Sequence, residues 1–183
     1  MEALKQEKRY TYTDYLSWPD DVRVELIEGV PYALAAPSIR HQGISRELLR
    51  QLANFLIGKP CEVYETIGVR LNADAGDDSV FEPDISIVCD SAKLSDGRTC
   101  KGAPDLVVEI LSPSTAGRDC LIKLPKYLEA GVRECWIVDP DNETVFVYTQ
   151  NGEPYPVVYD NGGAVPVGVL DGCVVELGDV FAG

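Results

Sequence analysis

Short alternating stretches broken by turn residues make up most of the chain, and two stretches switch to helical period. Residues 1–21 are polar and aromatic, a lead-in in which Thr13-Asp14 suits the cap of a short helix packed on an edge. Val22, Val24 and Leu26 then alternate with Arg23, Glu25 and Ile27. Glu28-Gly29 offers a turn and Val30-Pro31-Tyr32-Ala33-Leu34-Ala35 a return strand, which predicts a β-hairpin with Pro31 on its edge. From Ser38 the period changes: Ile44, Leu48, Leu52 and Phe55 recur at three- and four-residue spacings, with His41 on the same stripe, until Gly58-Lys59-Pro60 ends the helix.

Cys61 to Leu71 returns to strand character, and 72–79 is an acidic, turn-rich loop. Asp84-Ile-Ser-Ile-Val-Cys89 and Leu106-Val-Val-Glu-Ile-Leu111 are short apolar runs of the kind that form strands covered on both faces. A helix is predicted over roughly 116–130, ended by Gly131 in a left-handed C-terminal position, with Pro125 imposing a kink or a late start. Cys135 to Asp139 reads as a buried strand, Thr144 to Thr149 as an alternating one, and the Gly- and Pro-rich remainder as short edge strands. The expected architecture is a mixed α+β fold: a mixed central sheet flanked by helices, with an N-terminal β-hairpin, as one domain over 1–183.

Composition adds bounds. At 45% hydrophobic residues the chain can build a sizeable core, and nothing approaches the roughly 20 apolar residues of a membrane span. The first residues lack the apolar stretch of a signal peptide, so a soluble cytoplasmic protein is expected, away from membranes. Six cysteines without a Cys-x-x-Cys pair, and one histidine, argue against zinc and for reduced, partly buried thiols. The net charge of −14 argues against broad attraction to nucleic acid or anionic membranes, although a metal and a local cationic cluster can set the sign of a cleft.

Glu109 interrupts an apolar strand, where an unpaired carboxylate would cost several kcal/mol to bury. Strand periodicity puts it on the face of Val107 and Leu111, opposite Leu106, Val108 and Ile110. It is a metal ligand or half of a buried ion pair. Asp84 opens a second apolar strand after Glu82-Pro83. If those strands pair, two acids converge into a hard-oxygen site for Mg²⁺ or Mn²⁺, with the Ile110 carbonyl as a further ligand. Lys123 shares a helix face with Asp119 and Tyr127, and either orients a metal-bound water or forms an exposed pair with Asp119. Ser112 and Thr115 read as helix caps, and Trp136 as core.

The runs Val24-Glu-Leu-Ile-Glu-Gly29, Ala36-Pro-Ser-Ile-Arg-His41, Glu82-Pro-Asp-Ile85, Ala103-Pro-Asp-Leu-Val-Val-Glu-Ile-Leu-Ser-Pro-Ser-Thr115, Arg118-Asp119 with Lys123 and Tyr127, and Ala130-Gly-Val-Arg-Glu-Cys-Trp-Ile-Val-Asp139 together resemble the Uma family of restriction-endonuclease-like proteins over about residues 10 to 150. The resemblance implies a PD-(D/E)XK nuclease core with Asp84 and Glu109 as its acids, and Mg²⁺-dependent hydrolysis of phosphodiester bonds. Leu111 stands where the superfamily places its lysine, so Lys123 would be a migrated replacement. It also implies roles for Glu25, as an additional acid near the metal, and for His41, near the metal or a phosphate. A hairpin salt bridge and a buried helix-start residue are their respective alternatives.

Contact with nucleic acid, expected to be DNA, would use Arg40, Arg46, Arg50, Arg118 and Lys126, which flank these segments. Two functions follow: a metal-dependent endonuclease, expected to act as a homodimer, or a catalytically inactive nuclease-fold module whose acidic surface engages a basic protein partner or a second copy.

Overall fold

The computed structural model describes residues 8–19, 22–152 and 154–182. The chain forms α1 (Tyr12–Tyr15), the hairpin β1 (Val24–Ile27) and β2 (Val30–Ala33), α2 (Ile39–Leu56), β3 (Glu62–Glu65), β4 (Gly68–Arg70) and β5 (Ile85–Val88). There follow β6 (Thr99–Lys101), β7 (Leu106–Ile110), α3 (Ala116–Arg118), a π-helical turn at Asp119–Lys123, α4 (Leu124–Ala130) and β8 (Glu134–Asp139). β9 (Thr144–Thr149), β10 (Val157–Asp160), β11 (Ala164–Pro166), β12 (Val174–Glu176) and α5 (Leu177–Phe181) complete it.

Six strands form the central sheet in the order β10-β9-β8-β7-β5-β3, antiparallel except for the parallel pair β7–β8. This is the expected mixed sheet. The parallel pair needs a crossover, which α3, the π turn and α4 supply. Alternation along β7 divides its side chains between two layers: Leu106, Val108 and Ile110 pack with Ile44, Leu48 and Leu52 of α2, while Val107 packs with Leu124 and Tyr127 of α4. Each fully buried aliphatic side chain in these layers contributes about 1.5–3 kcal/mol relative to exposure. Glu109 therefore points into the α4 layer.

Local chemistry explains the boundaries. Glu28 (φ 50°) and Gly29 (φ 76°) form the two-residue turn of the hairpin, both left-handed, as a turn matching the strand twist requires. The Ser38 hydroxyl caps α2 by accepting from the His41 amide at 3.1 Å. Gly131, at φ 100°, ends α4 as its sequence predicts. The stretch expected as one strand over 61–71 divides at Thr66, whose φ of 52° breaks the extended path between β3 and β4.

Three expectations require correction. The cap of α1 is Thr11, not Thr13: its hydroxyl accepts from the Asp14 amide while Asp14 Oδ2 accepts from the Thr11 amide, the reciprocal pairing that a three-residue spacing allows. The helix over 116–130 is interrupted by the π turn, where the Leu124 amide reaches back five residues to Asp119. Pro125 has no amide to donate and its ring crowds the preceding turn, so the backbone widens there. Finally, Cys61 and Cys89 form a disulfide, leaving Cys100, Cys120, Cys135 and Cys173 free. The β3–β5 register pairs Glu62 with Val88, and the next rung brings the two cysteines together across 28 residues of sequence.

Candidate functional site

A cleft of about 600 Å³ opens where the carboxyl ends of β7 and β8 meet the start of β5, the N-terminus of α2 and the hairpin. The carboxyl ends of parallel strands are the usual location for ligands in α/β sheets. Asp84 reaches it because β5 pairs with β7 in a register of Ile85 with Val108, and one further rung sets Asp84 opposite Glu109. The Ile110 amide donates to Asp84 Oδ2 at 2.7 Å, and His41 Nε2 lies 3.3 Å from the same oxygen. Three elements thus fix one carboxylate, through these contacts on Oδ2.

Behind it lies a buried charge cluster. Lys123 Nζ stands 2.6 Å from Glu25 Oε1, 2.8 Å from Glu109 Oε1 and 3.5 Å from Asp119 Oδ1. The four residues are at most 3% exposed. The Tyr127 hydroxyl donates to Glu109 Oε1 at 2.6 Å, and Glu25 Oε1 accepts from the Glu82 amide at 2.9 Å. The π turn sets Asp119 and Lys123 at its two ends, both facing inward. Lys123 is therefore no exposed helix pair.

One ammonium facing three carboxylates leaves negative charge in surplus, and burial makes that surplus costly. Burial pushes Glu109 well above the usual carboxylate range, with Asp119, Asp84 and Glu25 adding to the effect against the pull of Lys123. Asp119 is likewise raised by burial, although Lys123 and the Thr115 hydroxyl oppose it. Burial would lower the Lys123 ammonium, but Glu109, Glu25 and Asp119 outweigh it and hold it above its ordinary value. The lysine keeps its proton, and the stress falls on the acids. For His41, the bond to Asp84 raises the imidazole against burial.

Carboxylate oxygen, the donor type that crowds this cleft, is the type a hard divalent cation takes. Among the described residues no group of three or more His, Cys, Asp or Glu surrounds a common metal position. Asp84 and Glu109 each have one oxygen outside the contacts just given, and Ile110, next after Glu109 in the chain, also lines the cleft. Two acids and a carbonyl, completed by water, match the habit of Mg²⁺. Glu25 Oε2 is buried without a hydrogen-bond partner among the described residues, as is Arg118 Nε, 3.8 Å away. The two face each other as a long ion pair.

Asp84, Glu109, Lys123, Glu25, His41 and Asp119 all line the cleft, and Tyr127 supports it from the core. The expected cations divide. Arg118 lines the cleft, with its guanidinium 5.1 Å from the Tyr32 ring centre. Arg40 lines it too, donating to the Pro140 carbonyl and Glu143. Arg46, Arg50 and Lys126 lie outside its lining; Arg50 pairs with Glu47 and Lys126 with Glu28. Ser112 and Thr115 bond each other by their hydroxyls at 2.9 Å, and Thr115 makes no side-chain cap. The sequence reading missed Arg23 and the role of Glu82, which line the cleft and approach each other to 3.7 Å. Their signal was adjacency to Glu25 and Asp84 in the chain.

Comparison with known proteins bears on the family and the fold. The Uma2 family, described as "Putative restriction endonuclease", matches residues 12–173. The "Uncharacterized protein slr1290" of Synechocystis sp. (strain ATCC 27184 / PCC 6803 / Kazusa) is 31% identical over 109 residues, 58% of this chain and 55% of that protein. The chain thus spans about half the length of this curated relative. A crystal structure described as that of a "putative nuclease belonging to DUF820", from Anabaena variabilis ATCC 29413, superposes with a TM-score of 0.77 at 23% identity, covering 94% of this chain and 98% of that one. The two chains share one fold.

Proposed function

The chain belongs to the Uma2 family, "Putative restriction endonuclease", and from that premise we propose that it is a metal-dependent endonuclease hydrolysing phosphodiester bonds of DNA. The observation that carries the reading is the Lys123 ammonium, buried 2.8 Å from Glu109 in a cleft that also presents Asp84. Asp84, Glu109 and the Ile110 carbonyl would hold Mg²⁺ or Mn²⁺. The ion would supply Lewis acidity and a bound water of lowered pKa.

The protein's own groups do the rest. Lys123 would orient the attacking water and offset charge on the pentacovalent phosphate. Glu25 and Asp119 hold the ammonium in place, and Tyr127 holds Glu109. His41 and the Ile110 amide fix the angle of Asp84. Arg118 contributes positive charge to the cleft wall for the substrate phosphate. A homodimer, bringing two such clefts to two strands, is the proposed working form, in the cytoplasm.

The net charge of −14 favours one competing reading, a catalytically inactive module that engages a basic partner. Incubation of the purified chain with plasmid DNA separates the two. The endonuclease reading expects cleavage with Mg²⁺ or Mn²⁺, none in chelator, and a loss of at least about a hundredfold in Glu109→Ala. A parent that cuts neither DNA nor RNA, or a Glu109→Ala protein as active as the parent, would overturn it.

A further inference from the structure

A second, smaller pocket of about 220 Å³ adjoins the cleft. Tyr15, Trp18, Pro19 and Arg98 help line it, and Arg23 and Glu82 line both it and the cleft. The two cavities therefore share a wall, and that wall stands two residues from Asp84 in the chain. The Tyr15 hydroxyl donates to Glu82 Oε1 at 2.9 Å, which fixes the ring beside it. The Trp18 ring lies 5.5 Å from that of Tyr15 and 5.4 Å from that of Tyr10.

This aromatic group is not simply core. Tyr12 is buried beneath the Arg70 guanidinium, 3.8 Å from its ring centre, while Tyr10, Tyr15 and Trp18 remain partly open to solvent. Partly open aromatic rings beside arginines are the composition of a stacking platform for nucleic-acid bases. Charge points the same way: among the described lining residues Arg23 and Arg98 outnumber Glu82, with Arg23 3.7 Å from its carboxylate. Size does too. The pocket is smaller than the roughly 300–1,000 Å³ of sites for drug-sized ligands, which suits one planar ring system.

We propose that the Tyr15–Trp18 pocket stacks an unpaired nucleobase of a nucleic-acid strand whose backbone continues into the Asp84–Glu109 cleft. The proposal rests on the endonuclease reading and assigns it a preference for substrates with a single-stranded or flipped-out base next to the scissile bond. Arg23, on the shared wall, would accompany the backbone from one cavity to the other.

Tryptophan fluorescence of the full chain tests this, with Mg²⁺ present and cleavage-resistant phosphorothioate linkages in the strand so that hydrolysis does not intervene. Trp136 is fully buried with its indole donating to Glu134, so it serves as an unquenched background and Trp18 as the reporter. Single-stranded oligothymidylate should quench the emission saturably. By anisotropy of a labelled strand, Trp18→Ala should bind it about tenfold more weakly, the loss of about 1.4 kcal/mol of stacking, with blunt duplex affected less than about twofold. Trp18→Phe, which keeps a ring, should restore most of the affinity. Absence of quenching, equal weakening for duplex, or quenching by a proline-rich peptide instead of the oligonucleotide would overturn the proposal. The two readings fail separately: Trp18-dependent strand binding without metal-dependent cleavage keeps the pocket and removes the endonuclease, and cleavage with indifferent Trp18 variants does the reverse.

Discussion

Three buried acids share one lysine, and the imbalance predicts how single substitutions behave. Removing the cation leaves the acids uncompensated, so Lys123→Met should cost about 3–5 kcal/mol in urea unfolding. Removing one surplus charge should be far milder. Glu25→Gln keeps the shape and relieves repulsion, and its unfolding free energy should stay within about 1 kcal/mol of the parent while cleavage falls. Asp96 gives a pH signature away from the cleft. Burial pushes its carboxyl up, but bonds from the Thr99 hydroxyl and amide and the Arg98 amide outweigh it and hold it at about 2, below the ordinary 3.8. The folded state therefore binds fewer protons than the unfolded chain, so this stabilisation is present above pH 3.8 and lost as pH falls through about 2. The stability gap between parent and Asp96→Asn should be constant near neutrality and shrink between about pH 4 and pH 2. Much of the site was legible at this scale. A carboxylate inside an apolar strand announces a partner, which made Glu109 conspicuous. Arg23 and Glu82 were not, because charged residues on a hairpin and before a proline carry no burial signal of their own.

Elements were legible where period and cap agreed. Ser38, the stripe of Ile44, Leu48 and Leu52, and Pro60 gave α2 its extent, and two apolar runs gave β5 and β7. Pro125 announced an irregularity, but whether the backbone would kink or widen depended on what lay inside. The π turn aims both Asp119 and Lys123 into the cluster. The Cys61–Cys89 bond was illegible for a different reason: it depends on strand register, and no local pattern pairs residues 28 apart. It ties the edge strand β3 to β5. Thiol titration of the unreduced, denatured chain should find four of six cysteines reactive, and Cys61→Ser should lower stability by about 2–4 kcal/mol. Six reactive thiols would contradict the cross-link.

Across the whole molecule, the mixed sheet collects side chains from the hairpin, α2, β5, β7 and the π turn at one edge of the parallel pair. Among the described residues no helix is long and apolar enough to cross a membrane. The acidic balance of −14 and the cluster's surplus carboxylates have a common consequence: the cleft as it stands attracts a cation before it attracts a phosphate. Bound Mg²⁺ or Mn²⁺ would change the local sign and permit a polyanion to approach. In the proposed reading Asp84 and Glu109 share one divalent cation. Calorimetric titration of Mn²⁺ into the purified chain tests it most directly, with Asp84→Asn as the comparison. The account predicts a saturable site in the parent that disappears in Asp84→Asn; a parent that binds no Mn²⁺, or an Asp84→Asn protein that binds it with parental affinity, would contradict it.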